Sequence, residues 1–239
     1  MTAAEEGPDS LADWCGVRRE VGWEGLGTGG VTGPVFPDTD GVTAWCAGPV
    51  SRRDPVRARR LLAAYEAVRT DAAHATAERA EAAHAVAERT DGSSDVRPLT
   101  FALLSGWQRV VLGTRDAPFR RGDAYAKRGR ERYGLTARTR LDFAACLRES
   151  GDRSVPLEAR AARAYLDVAF FHPFDDGNGR AALLALTFVL AREQVVLRDV
   201  GPLQTTRYAD DAEGAADLAL LVGILVRASA RRVRHAGAP

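Results

Sequence analysis

The sequence is poor in aromatic residues, contains one methionine and one lysine (Lys127), and has only three cysteines. Cys15, Cys46 and Cys146 are an odd number, and no two of them form a CxxC pair. That excludes a zinc-ribbon spacing and a disulfide framework using all three, and fits reduced thiols in a cytoplasmic protein. Long apolar runs are also missing. Residues 181–191 and 218–226 are the longest, and both fall short of the about twenty residues that a membrane-spanning helix needs. Residues 1–10 are acidic and lack the apolar stretch of a secretory signal. Nor does one sign of charge dominate. With 33 Lys and Arg against 32 Asp and Glu, a net charge of +1 gives no global attraction to nucleic acid or to an anionic membrane surface. The expected location is the cytoplasm, with neither membrane nor nucleic acid as partner.

A chain of 239 residues can bury a sizeable core and form one or two domains. Residues 1–54 are rich in Gly, Pro and Trp and read as a loop-rich extension, with Trp14, Trp23 and Trp45 as anchors on a helical body. The glycines at 22–30 are not followed by Lys-Ser/Thr, so they make a poor phosphate loop. At Pro55 the texture changes, and Ala, Leu, Arg and Glu predict a helix to about Arg89 within a helical segment, 55–97. It holds a ten-residue repeat, 71–80 against 81–90. The repeat sets His74 and His84 about 15 Å apart along the axis, too far to share a metal ion. In the remaining segment, 98–239, helices are predicted at 98–112, 139–149, 156–171, 180–193 and 210–234. Strand signals are confined to short pieces near 122–134 and 195–197. The fold class is therefore all-α, with at most a short hairpin.

One loop concentrates the chemistry, His172-Pro173-Phe174-Asp175-Asp176-Gly177-Asn178-Gly179-Arg180. A helix delivers His172 and stops at Pro173. Phe174 is the large apolar residue that can pin the loop to the core. Asp175 and Asp176 are adjacent carboxylates suited to Mg²⁺, which takes few protein oxygens and keeps phosphate as a ligand. Gly177, Asn178 and Gly179 let backbone N–H groups converge where the next helix begins, a position that favours anions. Arg180 opposes that helix dipole but suits a phosphate oxygen. A base, a metal carboxylate, an anion nest and a cation within nine residues point to phosphoryl or nucleotidyl transfer. The plain alternative is helix–loop–helix punctuation, since Asp, Asn and Gly are the usual turn residues.

The order of these residues resembles the signature of the Fic (Fic/Doc) family, His-x-Phe-x-Asp/Glu-Gly-Asn-Gly-Arg-x-x-Arg. His172, Phe174, Asp176, Gly177, Asn178, Gly179 and Arg180 all match it. The resemblance implies a Fic-type helical bundle, with 98–239 as the catalytic domain and the basic stretch 119–134 as a β-hairpin flap over the target segment. It implies that His172 is the general base and that Asp176 holds Mg²⁺. Gly177, Asn178, Gly179 and Arg180 would bind the nucleotide phosphates. The implied reaction moves AMP from ATP onto a Ser, Thr or Tyr hydroxyl of a target protein.

The match is incomplete at the last arginine, where this chain has Leu183. A Doc-like kinase, which transfers the γ-phosphate, often carries an apolar residue there, but has Lys at the place of Gly179. Adenylylation is the preferred reading, with Doc-like phosphate transfer or a non-catalytic binding module as alternatives. Leu183 itself reads either as a gap in the phosphate site or as a core residue of an apolar helix. Thr2-Ala3-Ala4-Glu5-Glu6-Gly7 fits the short pattern of the family's autoinhibitory motif, Ser/Thr-x-x-x-Glu-Gly/Asn. The arginine that such a Glu6 would meet is the one replaced by Leu183.

Overall fold

The computed structural model describes residues 8–27, 33–86, 98–205 and 211–236. The pattern around Glu6, the second half of the ten-residue repeat past 86 and part of the glycine stretch lie outside the described residues. In chain order the helices are α1 (Ser10–Glu20), α2 (Gly41–Trp45), α3 (Ser51–Arg53), α4 (Pro55–Val86) and α5 (Phe101–Leu112), followed by strands β1 (Ala124–Ala126) and β2 (Glu131–Tyr133). Then come α6 (Thr139–Arg148), α7 (Leu157–Phe171), α8 (Asn178–Ala191), α9 (Gly201–Thr205) and α10 (Ala212–Ala236). The protein is mostly helical, with one small antiparallel sheet in which Ala124, Tyr125 and Ala126 face Tyr133, Arg132 and Glu131.

The centre is α8. From Ala181 to Leu190 every residue is buried, so this helix is apolar on all sides and must be covered on all sides. Helices α4, α5 and α7 supply that cover, and α10 packs on the far side of α7. Local signals explain where the elements stop. Thr100 caps α5 by accepting from Leu103 N, and Gly113, at φ +67°, ends it in the left-handed conformation. At that φ an L side chain is strained, and a Cβ at Gly113 would also displace the Arg60 guanidinium, whose carbon would lie 2.3 Å away. Arg60 in turn donates to Leu112 O at 2.8 Å, fixing the start of α4 against the end of α5.

The first fifty residues correct the expectation of loops. Asp9 accepts from Leu11 N and Ala12 N and so starts α1, and the same carboxylate accepts from Gly134 N at the end of β2. Trp14 stacks on Phe170 at 4.8 Å and donates to Asp167 Oδ1. Arg18 grips Asp167 with two bonds, 2.7 and 3.0 Å long, and also pairs with Glu149. Burial alone would pull the Arg18 guanidinium down, but the Asp167 carboxylate outweighs it and raises it above its ordinary value. Asp167 is wholly buried. Asp167→Asn would leave a half-buried guanidinium facing an amide, and breaking a buried pair costs about 3 kcal/mol or more. Urea unfolding should show this as a lower midpoint with an unchanged slope; an unchanged midpoint would mean that α1 adds nothing to the core.

In the basic stretch Arg121, Lys127, Arg128 and Arg130 are exposed, and Arg120 is the exception. Arg120 is 2% exposed. Its guanidinium donates to Gly122 O (2.5 Å), Gly134 O (2.9 Å) and Phe171 O (3.4 Å), while its own N–H donates to Pro173 O. One arginine thus ties both feet of the β1–β2 hairpin to the end of α7. Three peptide oxygens offset part of the cost of burying the charge, and burial still lowers its pKa.

Candidate functional site

Residues 172–180 form the link between α7 and α8, and each turn in it has a local cause. His172 adopts φ +45°, and Gly177 adopts φ +78° as the N-cap of α8. Asn178 is buried, and its side-chain amide spans the loop. It accepts from Phe174 N at 3.0 Å and donates to Phe174 O at 2.7 Å. Phe174 is buried and stacks on Phe101 at 5.6 Å, so the loop is pinned to the core as the sequence suggests. A Cβ at Gly177 would lie 2.5 Å from Gln108 Nε2, and Gln108 donates to Asp176 O at 2.6 Å. The loop is therefore held from inside by Asn178 and from below by Gln108.

His172 is set for one tautomer. Its Nδ1 lies 2.5 Å from Ala169 O, where only a ring N–H can make a bond, so Nε2 is left as the acceptor. The ring stacks on Tyr133 of β2 at 4.0 Å, and Tyr133 is itself bonded to Glu131 through its hydroxyl. Burial lowers the imidazole pKa below 6.5. The Ala169 carbonyl and Glu131 oppose this, and Arg120 adds to it. The side chain is thus neutral at neutral pH.

At the other end of the loop Asp176 is exposed. Its Oδ1 accepts from Gly177 N at 2.6 Å, and its Oδ2 lies 3.3 Å from Arg180 Nη2. Arg180 also reaches Val111 O, at the C-terminus of α5. Arg180 N and Ala181 N both bond to Gly177 O, so α8 begins with the Asn178 and Gly179 N–H groups ahead of its first internal bond. A Cβ on Gly179 would meet nothing within 4 Å. His172, Asp175, Asp176, Gly177, Asn178, Gly179 and Arg180 all line one cavity of about 820 Å³. Its remaining wall comes from the hairpin (Asp123, Ala124, Tyr125), from α7 (Tyr165, Leu166, Ala169), from α9 and α10 (Leu203, Gln204, Leu218), and from Arg57 of α4.

Residues 99–190 match the model of the Fic/DOC family. The likeness to that family lies in this segment, a little over a third of the chain. The matched segment runs from the residue before Thr100 to the last turn of α8, so it contains the hairpin, α7 and the whole loop. No curated protein matches the chain. Among solved structures, a fragment of Fic-1 from C. elegans is similar at 21% identity and a TM-score of 0.41, covering 58% of this chain and 43% of that one. A Fic domain containing signaling protein from Bacteroides thetaiotaomicron is similar at 18% identity and a TM-score of 0.47, covering 75% and 69% respectively. The chain therefore spans less than half of the Fic-1 structure. Among the described residues no helix is long and apolar enough to cross a membrane.

Phe174 is turned into the core, and the other residues singled out in the loop line one cavity, among them Asn178. Its side chain is committed to the loop, which leaves only its backbone N–H to face an anion. Gln108, Tyr133 and Arg57 escaped the sequence reading. For Gln108 a signal existed, a polar side chain inside the apolar run 101–112, and such a group is buried only when it has a partner. Tyr133 and Arg57 carry no local signal, because the contacts that matter come from the tertiary fold.

Proposed function

We propose that this chain is a Fic-type adenylyltransferase, moving AMP from ATP onto a hydroxyl of a target protein. The observation that carries the reading is His172, a neutral imidazole with Nδ1 held by Ala169 O and Nε2 unspent, on the same cavity as an anion-binding helix start. In the proposed reaction His172 Nε2 takes the proton of the target hydroxyl. The freed oxygen attacks the α-phosphorus, and the bond to the bridging oxygen breaks, so that pyrophosphate leaves. The Asn178 and Gly179 N–H groups and the Arg180 guanidinium face the phosphates and lower the cost of the charge that moves onto the leaving oxygens. Tyr165, Leu203 and Leu218 offer an apolar wall on which the base can lie.

Asp176 fits Mg²⁺. It is an exposed carboxylate on the cavity beside Asp175, a small hard-oxygen set suited to an ion that keeps phosphate and water as its other ligands. When bound, Mg²⁺ would neutralise phosphate charge and orient the nucleotide. The hairpin edge at Ala124–Ala126, with Tyr125 exposed beside the cavity, is where an extended target segment would lie. Incubation with α- and γ-labelled ATP in parallel tests the reading. Label on protein from the α-position alone supports it, label from the γ-position alone would make the chain a kinase, and label from neither would leave a binding module.

Gly179 gives a second test. Its missing side chain leaves open space where phosphate should approach, while its place in the first turn of α8 would favour alanine intrinsically by about 1 kcal/mol. Gly179→Ala is expected to melt no lower than the parent but to bind ATP more weakly. Unchanged ATP affinity in the folded variant would remove Gly179 from the phosphate contact.

A further inference from the structure

The proposed phosphate site has one cation from its own loop, Arg180. The next motif position that would carry a second is Leu183, which is 1% exposed in the core and cannot reach the cavity. The cavity nonetheless has a second arginine in its wall, Arg57. Arg57 comes from the first turns of α4, more than forty residues before the segment that matches the Fic/DOC family.

Its placement follows from the packing at the end of α5. Arg60 donates to Leu112 O and Arg180 donates to Val111 O, so the starts of α4 and α8 meet on adjacent carbonyls of one helix terminus. Arg57 lies three residues before Arg60 and hence on the same face, one turn nearer the cavity. Asp54 caps the helix by accepting from Arg57 N, and its other oxygen is 4.0 Å from Arg57 Nε, a loose exposed pair that leaves the guanidinium open to a stronger anion. Two like charges brought to one cavity wall repel unless an anion lies between them. That repulsion is felt at Arg180, which burial and then Arg57 both depress, with Asp176 opposing. The charges that act on His172 are instead Arg120 and Glu131. Arg57 therefore stands at the Arg180 end of the cavity, away from the base.

We infer that Arg57 is a nucleotide-binding residue, supplying from α4 the second cation that grips the terminal phosphates of a nucleoside triphosphate, in the role left vacant by Leu183. The inference rests on the adenylyltransferase reading, in which the phosphorus under attack lies beside His172 and the leaving pyrophosphate lies further along the site. It also makes α4 part of the site and not only support for α8.

The test is titration of the 239-residue chain with ATP and with AMP, in the presence of Mg²⁺, for the parent, Arg57→Ala and Arg57→Lys. Arg57 is exposed on the surface of its helix, and a change there should leave the melting temperature unchanged. Losing a charge-assisted contact should weaken ATP about ten- to hundredfold. AMP, which has no terminal phosphates, should bind Arg57→Ala as it binds the parent, and Arg57→Lys should recover part of the ATP affinity. If the parent binds ATP while Arg57→Ala binds it equally well, or loses ATP and AMP alike, Arg57 does not hold the terminal phosphates and the adenylyltransferase reading stands without it. If the parent binds no nucleoside triphosphate, both fall together.

Discussion

His172→Ala is expected to lower group transfer by about 10²–10⁴ while leaving ATP affinity nearly unchanged, the size and pattern of losing a general base. The reason for the split is spatial. His172 faces the cavity at the end of α7, whereas the proposed anion site is the start of α8, and the loop between them is held by Asn178 and Gln108 independently of the imidazole. The same ring sets a pH dependence. Burial favours the neutral form, so its pKa lies below 6.5, and the base is lost only as pH falls through that depressed value. Transfer should be flat from neutral pH upward and decline on the acid side of 6.5. Single-turnover rates across pH, with ATP titrations on the same samples, measure both effects. A mutant that turns over like the parent would take His172 out of the mechanism, and an acid limb centred above 6.5 would show that the ring is not held neutral.

Much of this arrangement was legible in the sequence, because helix periodicity and turn chemistry are local. The helix predicted at 156–171 is α7 at Leu157–Phe171, and that at 98–112 is α5 at Phe101–Leu112, shortened by its Thr100 cap. The hairpin expected within 122–134 is β1–β2. The loop residues are legible because seven positions of the motif fall within nine consecutive residues. The partners of the buried arginines are not legible in the sequence, because they lie far along the chain. Arg120 meets Phe171 O, Arg18 meets Asp167 and Arg192 meets Ser150 O, separations of 51, 149 and 42 residues. From sequence alone each of these arginines resembles a surface charge. The helix α1 was missed for a similar reason. Gly, Pro and Trp around it imply loops, and what favours the helix is Asp9 as a cap together with Trp14 and Arg18 on α7.

Leu183 separates two readings that the motif alone could not. Leu183→Arg restores the family pattern on paper, yet it is expected to abolish cooperative folding. Leu183 is 1% exposed in the middle of α8, a helix covered by α4, α5 and α7. This protein does bury guanidinium groups, but each has peptide oxygens to receive it. Arg120 takes those of Gly122, Gly134 and Phe171, and Arg160 takes those of Val155 and Ser150. These oxygens lie in loops and at helix ends, where carbonyls have no helical partner. The carbonyls around Leu183 are consumed by the internal bonds of α8, so an arginine there would be charged, buried and without acceptors. That costs several kcal/mol, and overpacking adds about 1–3 more. Against a total stability of about 5–15 kcal/mol, the sum is enough to unfold the protein. Leu183→Met, which conserves volume, should cost less than about 1.5 kcal/mol and bind ATP as the parent does. Circular dichroism melts of both variants distinguish the outcomes. If Leu183→Arg instead melts with the parent and binds ATP more tightly, position 183 faces the phosphates after all. The arginine of the motif could then act from α8 itself, and Arg57 would have no vacancy to fill.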